Sequence, residues 1–369
     1  MKRLTCLMMA LGIGFYAQAQ DLAGVGYSNY STHPEEEDVL QSSSKEKHLD
    51  NLRQLTFGGD NTGAYFSPDG KKVCFQSNNP VWELKCDQTF WMEINDDIDY
   101  RINQPLMVSN GFGRTTSSFY MGDSKKIIYS STFKKGVNCP ESTSTTNKSV
   151  WSIHSDYDVF IGDEKGKVIK QLTESNGYDA EAVVSPKGDK IVFTSMRDGD
   201  LELYIMDANG KNVKRLTNTL GYDGGAFFSP DGTKIVFRAS RPQGKDTIEY
   251  KELLAKGLVE TSNMEIFTMN VDGSDIKQIT TLGKTCITPV YHPNGKRIVF
   301  SSNHHSINGN DFQLYVINDD GTNLDQITYE SEFNAYPMFS PDGKTIIFSS
   351  DRNNGGTKEV NVFLTEWVD

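Results

Sequence analysis

This chain has little of what marks a nucleic-acid binder, a membrane protein or a nucleophilic enzyme. Its 369 residues carry 37 Lys and Arg against 49 Asp and Glu, a formal net charge of −12. That balance supplies no basic footprint for nucleic acid and no attraction to an anionic lipid surface. Past residue 20, no apolar run reaches the roughly 20 residues that a membrane helix needs. There is no Gly-rich phosphate loop and no G-x-S-x-G nucleophile elbow. The acidic stretches YDAEA (178–182) and YDGGA (222–226) lack the ligand spacing of a calcium loop.

What is present begins with an export signal. Lys2 and Arg3 precede the apolar run LTCLMMALGIGFY and then Ala17-Gln18-Ala19, the pattern of a secretory signal peptide cleaved after Ala19. The run is too short to act as a membrane anchor instead. Loss of its two positive charges takes the net charge from −12 to −14. The expected mature protein is a soluble monomer, periplasmic or secreted, with no integral membrane segment and no nucleic-acid partner. Residues 20–48 are polar, charged and without apolar periodicity, and read as a flexible leader.

Five cysteines occur, four of them beyond the signal. Cys74 lies in the strand-like KKVCFQS and reads as a small core residue. Cys86 and Cys139 fall in the irregular segments ELKCDQ and VNCPES. In an oxidising compartment they are expected to form a disulfide, with two free thiols as the alternative, because spacing does not fix connectivity.

The dominant feature is an internal repeat. AYFSPDGKKVCFQS (64–77), AVVSPKGDKIVFTS (182–195), AFFSPDGTKIVFRAS (226–240), PVYHPNGKRIVFSS (289–302) and PMFSPDGKTIIFSS (337–350) are copies of one motif. SFYMGDSKKIIYSS (118–131) is a degenerate sixth. Pro presets the turn, Asp accepts local backbone hydrogen bonds and Gly supplies the left-handed residue, so each copy is a hairpin. A third strand follows, as in ELYIMDANG (202–210), and a fourth ends in LT or IT, as in VIKQLT (168–173). The shortest spacing between copies, Ser185 to Ser229, is 44 residues, about one propeller blade. The expected fold is all-β, a six-bladed β-propeller of four-stranded antiparallel blades over residues 50–369. His292 stands at a turn Ser position and reads as a turn residue.

The first LT copy, NLRQLT (51–56), has no unit before it, whereas the last unit ends after three strands at Asp369. Leu52–Thr56 are therefore expected to pair with residues 360–366 as the missing fourth strand, closing the ring and removing two exposed sheet edges.

At these motifs the chain resembles the TolB-type β-propeller family, over residues 50–369. In that family an α/β domain precedes the propeller, and here only the polar leader occupies that place. The resemblance implies a propeller mouth that binds an envelope protein, as that family's mouth binds a peptidoglycan-associated lipoprotein. Similar propellers gate oligopeptidases, and related ones are sugar lyases that hold a metal with several histidines.

The face opposite the SPDG turns carries the irregular loops, where function concentrates on rigid scaffolds. Six positions before each turn Ser stand Asn61, Thr115, Asp179, Asp223, Cys286 and Asn334, with Glu181 two residues inside the third blade. The loops between second and third strands add Arg197, Arg241, His304, His305 and Arg352. The functional reading makes Asn61, Asp179, Glu181, Arg197, Asp223, Arg241, His304, Asn334 and Arg352 a mouth of mixed charge that grips a peptide, a partner loop or a small polar ligand. The plainer reading has Asp and Asn capping turns and Arg pairing with them. In the insertion 241–262, a helix is expected with Asp246 at its start, Tyr250, Leu253 and Leu254 on one face and Gly257 at its end. It would be a lid or a cover for the rim. The insertion 133–156 reads as a flexible loop tied down by Cys139.

The expected function is a non-catalytic, exported binding module for an envelope protein or peptide, with no cofactor and no metal. The alternative is a saccharide-active lyase or hydrolase using Asp179, Glu181 and Asp223 or mouth histidines, with or without a metal. His154, His304 and His305 are expected on opposite sides of the ring.

Overall fold

A computed structural model describes residues 39–40, 43–141 and 149–369. The signal peptide and most of the leader lie outside the described residues. Six antiparallel sheets surround one axis, each with its first strand innermost and successive strands paired outward. Blade 1 is Asp60–Phe66, Lys72–Asn78, Gln88–Glu93 and Leu106–Met107; blade 4 is Asp223–Phe228, Lys234–Ser240, Met264–Asn270 and Lys277–Gln278. Blades 2, 3 and 5 repeat the order, with innermost strands Thr115–Tyr120, Asp179–Val184 and Cys286–Tyr291.

The alternation within each second and third strand produces the core. Across those two strands, every blade pairs a fully buried aromatic with a second aromatic: Phe75–Phe90, Tyr129–Phe160, Phe193–Tyr204, Phe237–Phe267, Phe300–Tyr315 and Phe348–Phe363. Ring centroids are 5.7–6.2 Å apart in all six. Burying one such ring contributes about 1.5–3 kcal/mol, and cross-strand contact adds some tenths more.

The LT and IT endings have a common cause. Ser109, Thr173, Thr217, Thr280, Thr328 and Thr56 each accept a third-strand backbone N–H through the hydroxyl oxygen. Each hydroxyl also donates to the polar residue opening that strand: Gln88, Asp158, Glu202, Glu265, Gln313 or Asn361. These buried knots fasten a fourth strand that is otherwise only two to four residues of ladder in blades 1 to 5.

Blade 6 consists of Asn334–Phe339, Thr345–Ser350 and Asn361–Trp367, completed by Leu49–Gln54. The expected closure is present, shifted toward the N-terminus. Leu49 pairs with Trp367 and Gln54 with Phe363, after which Leu55 N–H donates to Val362 O at 2.8 Å and Val362 N–H to Thr56 Oγ1 at 2.8 Å. A further strand, Val39–Leu40, pairs outside it.

The leader was expected to run to residue 48, yet residues 43–48 are built into this blade. Glu46 is buried and accepts from both Arg352 Nη groups, at 3.1 and 3.2 Å, and from the backbone N–H groups of Tyr329 and Glu330. His48 stacks on Trp367 at 4.9 Å. One buried ion pair and one stacked ring hold a segment whose composition reads as solvated.

The insertions also differ from expectation. The helix is Lys245–Leu254, with Tyr250, Leu253 and Leu254 buried as expected. Its N-cap is Gly244 and not Asp246, which sits in the first turn. Gly257 (φ +70°) follows its end and donates to Leu254 O. Within 133–156, Val150–Ser152 is a strand paired with Leu258–Glu260 of the helical insertion, so the described end of that loop is ordered by a partner from blade 4. Cys86 and Cys139 are joined by a disulfide with Cα atoms 5.9 Å apart, while Cys74 is a buried free thiol.

Candidate functional site

Every innermost strand contains a β-bulge. The bulged residues are Gly63, Ser117, Glu181, Gly225, Thr288 and Tyr336, four positions before each turn Ser or its equivalent, and all have φ between +52° and +62°. That conformation disfavours any residue with a Cβ, most of all a β-branched Thr or a bulky Tyr. Its presence in all six blades makes it a property of the scaffold. The extra residue re-aims the side chains around it. Five of the six bulged residues line a chamber of about 310 Å³ at the mouth opposite the SPDG turns.

The chamber has a floor and a roof. Two residues beyond the bulges stand Tyr65, Phe119, Val183, Phe227, Val290 and Met338. Tyr65, Phe119 and Phe227, from blades 1, 2 and 4, meet across the axis with centroids 5.4–6.0 Å apart. This plug separates the polar mouth from an apolar hollow on the SPDG side, walled by Pro68, Pro186, Pro230, Pro293 and Pro341. The roof is the two-stranded ribbon joining the blade-2 and blade-4 insertions, which contributes Trp151, Ser152, Ile153 and His154 to the wall.

Glu181 and Arg238 form the charged centre. Glu181 Oε1 accepts from Arg238 Nη2 and from Tyr222 OH (2.9 Å); Oε2 accepts from Thr194 Oγ1 (2.7 Å) and Gly225 N–H (2.9 Å). Burial alone would raise this carboxyl, but Arg238 and the hydroxyl and amide donors outweigh burial and hold it below its ordinary value. Arg238 lies between the rings of Trp151 (4.9 Å) and Tyr222 (4.8 Å). A Cβ on Gly225 would fall 1.9 Å from Arg238 Nη1, and one on Gly224 would fall 2.5 Å from Glu181 Oε2. The Gly-Gly of YDGGA therefore exists to admit this pair. Across the chamber, Arg114 Nε lies 3.1 Å from Asp87 Oδ2 but off the hydrogen-bond line. Burial and the neighbouring Arg114 lower His154, leaving it neutral at physiological pH.

Of the nine residues assigned to the mouth from sequence, only Glu181 lines the chamber. All of the others but His304 belong to the frame. Asn61 Nδ2 donates to Asn361 Oδ1 (3.1 Å) and Asn334 Nδ2 to Gln313 Oε1 (2.9 Å), tying each innermost strand to the knot of the preceding blade. Asp179 accepts from Arg197 Nη2 at 3.0 and 3.1 Å, Asp223 from Arg241 Nη1, and Asn334 from Arg352 Nη2 at 3.0 Å. Asn61, Asp179, Asp223 and Asn334 are fully buried. Burial, with Glu202 adding to it, pushes Asp223 up to about 7 against the pull of Arg241. His304 is exposed with its ring 6.2 Å from that of Tyr315, and His305 Nδ1 lies 3.1 Å from Tyr315 OH. Neither reaches the chamber, whereas His154 does. Among the described residues, no group of three or more His, Cys, Asp or Glu is placed to hold a metal ion.

Arg238, Arg114, Trp151 and the tyrosines at 157, 178, 222 and 336 were missed. One signal for Arg238 was available: in FRAS it occupies a second-strand position held by Gln76, Ser130, Thr194, Ser301 and Ser349 in the other blades. A cation there demands a buried partner.

A family model described as TolB beta propeller domain matches residues 184–260 and 250–365. No curated protein matches the chain in sequence. Among solved structures, TolB from Acinetobacter baumannii is similar at 18% identity and TM-score 0.55, over 81% of this chain and 64% of that one. An oligogalacturonate lyase in complex with manganese is similar at 14% identity and TM-score 0.52, over 90% and 96%. A gluconolactonase from Xanthomonas campestris is similar at 11% identity and TM-score 0.55, over 89% and 94%. At these identities the structures share the fold alone, and TolB, a lyase and a gluconolactonase all share it. The family-model matches, the six-fold repeat and the closed ring make this chain a TolB-type six-bladed β-propeller.

Proposed function

We propose that the protein is an exported, non-catalytic binding module that holds a peptide or partner segment in the roofed chamber at the loop-bearing mouth. One observation carries this reading. Glu181, the only carboxylate in the chamber wall among the described residues, is ion-paired and accepts four hydrogen bonds, so it is not available to exchange a proton with a substrate. The other two acids considered for glycosidic chemistry, Asp179 and Asp223, are buried in the frame. The wall that remains is aromatic rings, neutral polar groups and the guanidinium groups of Arg114 and Arg238, the composition of a recognition surface. The signal-like N-terminus, the disulfide and the family's envelope setting support a periplasmic or secreted location.

A second reading, a saccharide-active lyase, rests on His154, a neutral imidazole in the chamber wall. One experiment separates the two. Wild-type protein and Trp151→Ala are purified from native envelope, their co-purifying proteins are compared, and both are assayed on glycan and peptide panels. The binding reading expects a specific partner that Trp151→Ala loses while staying folded, and no turnover. Turnover of a glycan that His154→Ala abolishes overturns it, as does a partner that Trp151→Ala retains.

A further inference from the structure

The chamber contains an unused cationic fork. Arg114 immediately precedes the innermost strand of blade 2, and its backbone N–H and C=O are fixed by Thr132. Asp87 lies beside its Nε, and Asp87 Oδ1 also accepts from Gln76 at 3.4 Å. Among the described residues, neither Nη group of Arg114 donates a hydrogen bond, although the side chain is only one-third exposed and lines the chamber. Arg238, the other cation in the wall, is by contrast spent on Glu181 and Tyr222. In the same wall and within reach of Arg114's charge stands His154, whose Nε2 is buried and without a partner. Arg114 Nε and His154 Nε2 are both withheld from water without a hydrogen-bond partner; such nitrogens are costly, and two in one wall, beside free Nη groups, describe the place of a missing acceptor.

The acceptor's chemistry follows from its surroundings. A guanidinium fork matches a planar carboxylate through two parallel hydrogen bonds. Asp87 at 3.1 Å and Glu181 in the same wall oppose a doubly charged phosphate more than a single negative charge. Tyr157 and Tyr178 meet edge to face at 5.8 Å, and Trp151 and Tyr222 at 6.1 Å, giving flat apolar walls. The volume, about 310 Å³, is at the small end of ligand pockets, which run from about 300 to 1,000 Å³, and admits one ring or one terminal residue.

We infer that the chamber binds a monocarboxylate attached to a single ring or apolar side chain, with Arg114 and His154 holding the carboxylate and the aromatic walls holding the body. This deepens the binding reading and rests on it. The carboxylate belongs either to a peptide C-terminus or to a free small acid, and the two sources are separable.

The test titrates the full-length protein with paired probes and follows Trp151 fluorescence and thermal stability. One pair is acetyl-Gly-Gly-Phe and its C-terminal amide; the other is benzoate and benzamide; phenyl phosphate is a fifth probe. The acid of at least one pair is expected to bind about 10- to 100-fold more tightly than its neutral partner, a preference that Arg114→Gln removes and Arg114→Lys restores only in part. Preference for the peptide pair identifies a chain terminus, and preference for benzoate a free acid. Trp151→Phe, which keeps the aromatic wall, retains the preference by thermal shift and loses the fluorescence signal. Equal or absent binding of acid and neutral partners overturns the inference, as does tighter binding of phenyl phosphate or an Arg114→Gln variant that binds like wild type. If acid and amide bind equally and Trp151→Ala abolishes both, the binding module stands and only the carboxylate inference falls. If Trp151→Ala retains its co-purifying partner, the module reading fails on its own ground.

Discussion

The interblade knots and the mouth chamber are built from the same six strands, two residues apart, and they obey opposite rules. At the strand start, Asn61, Thr115, Asp179, Asp223, Cys286 and Asn334 turn into the frame, and similar chemistry recurs from blade to blade. At the bulge, Gly63, Ser117, Glu181, Gly225, Thr288 and Tyr336 face the axis, and no two adjacent blades agree. Where the repeat is faithful it is serving closure and stability. Where one blade departs from its siblings, as Glu181, Gly224, Gly225 and Arg238 do, the departure falls at the candidate chamber.

If the knots are the frame, breaking them should cost far more than altering the chamber. Deleting residues 49–56 removes the closing strand and the Thr56 knot, and opens the edge of Asn361–Trp367. Loss of a cooperative thermal transition is expected, with aggregation on gel filtration; a truncated protein melting like wild type would show the ring closed by something else. Next in size is Arg352→Ala, which strands the Glu46 carboxylate in the interior. A loss of about 3–5 kcal/mol in chemical denaturation is expected, since removing one partner of a buried pair leaves an uncompensated charge. A loss below 1 kcal/mol, the range of exposed pairs, would return residues 43–48 to the status of leader.

The last expected effect is one of pH. Asp223 is pushed up to about 7 in the fold, chiefly by burial, against about 3.9 in an unfolded chain. Between these values the native state holds a proton that the unfolded state has released, so this group's contribution to stability declines as pH rises through that window. Asp223→Asn cannot titrate. The melting temperature of wild type relative to Asp223→Asn should therefore fall from pH 4 to pH 7.5, and a constant difference would remove Asp223 as a buried acid of the frame.

Much of this architecture is legible in the sequence. SPDG turns with flanking alternation yield six hairpins, and the orphan NLRQLT yields the closing strand, because turn chemistry and period-two burial are local. The direction of the residues six before each turn Ser is not local. Counting parity along an unbroken strand sends them to the mouth, but one bulged residue intervenes and resets the alternation. Only Gly63 and Gly225 carry the residue that a left-handed bulge prefers; Ser117, Glu181, Thr288 and Tyr336 give no such sign. The roof is hidden for a similar reason, since Val150–Ser152 becomes a strand only by meeting Leu258–Glu260, a hundred residues away in sequence.

By itself, then, the sequence determined the number of blades, the SPDG hairpins and the terminal latch, because each follows from the hydrogen-bonding and burial preferences of a few consecutive residues. Only the tertiary structure decided that most of the conspicuous acids and arginines are paired within the frame, and that tyrosines, Trp151, Arg114 and the Glu181–Arg238 pair line one chamber, the candidate site. That choice depends on which side chains six separate strands bring within hydrogen-bonding reach of one another, a property that no single stretch of the chain contains.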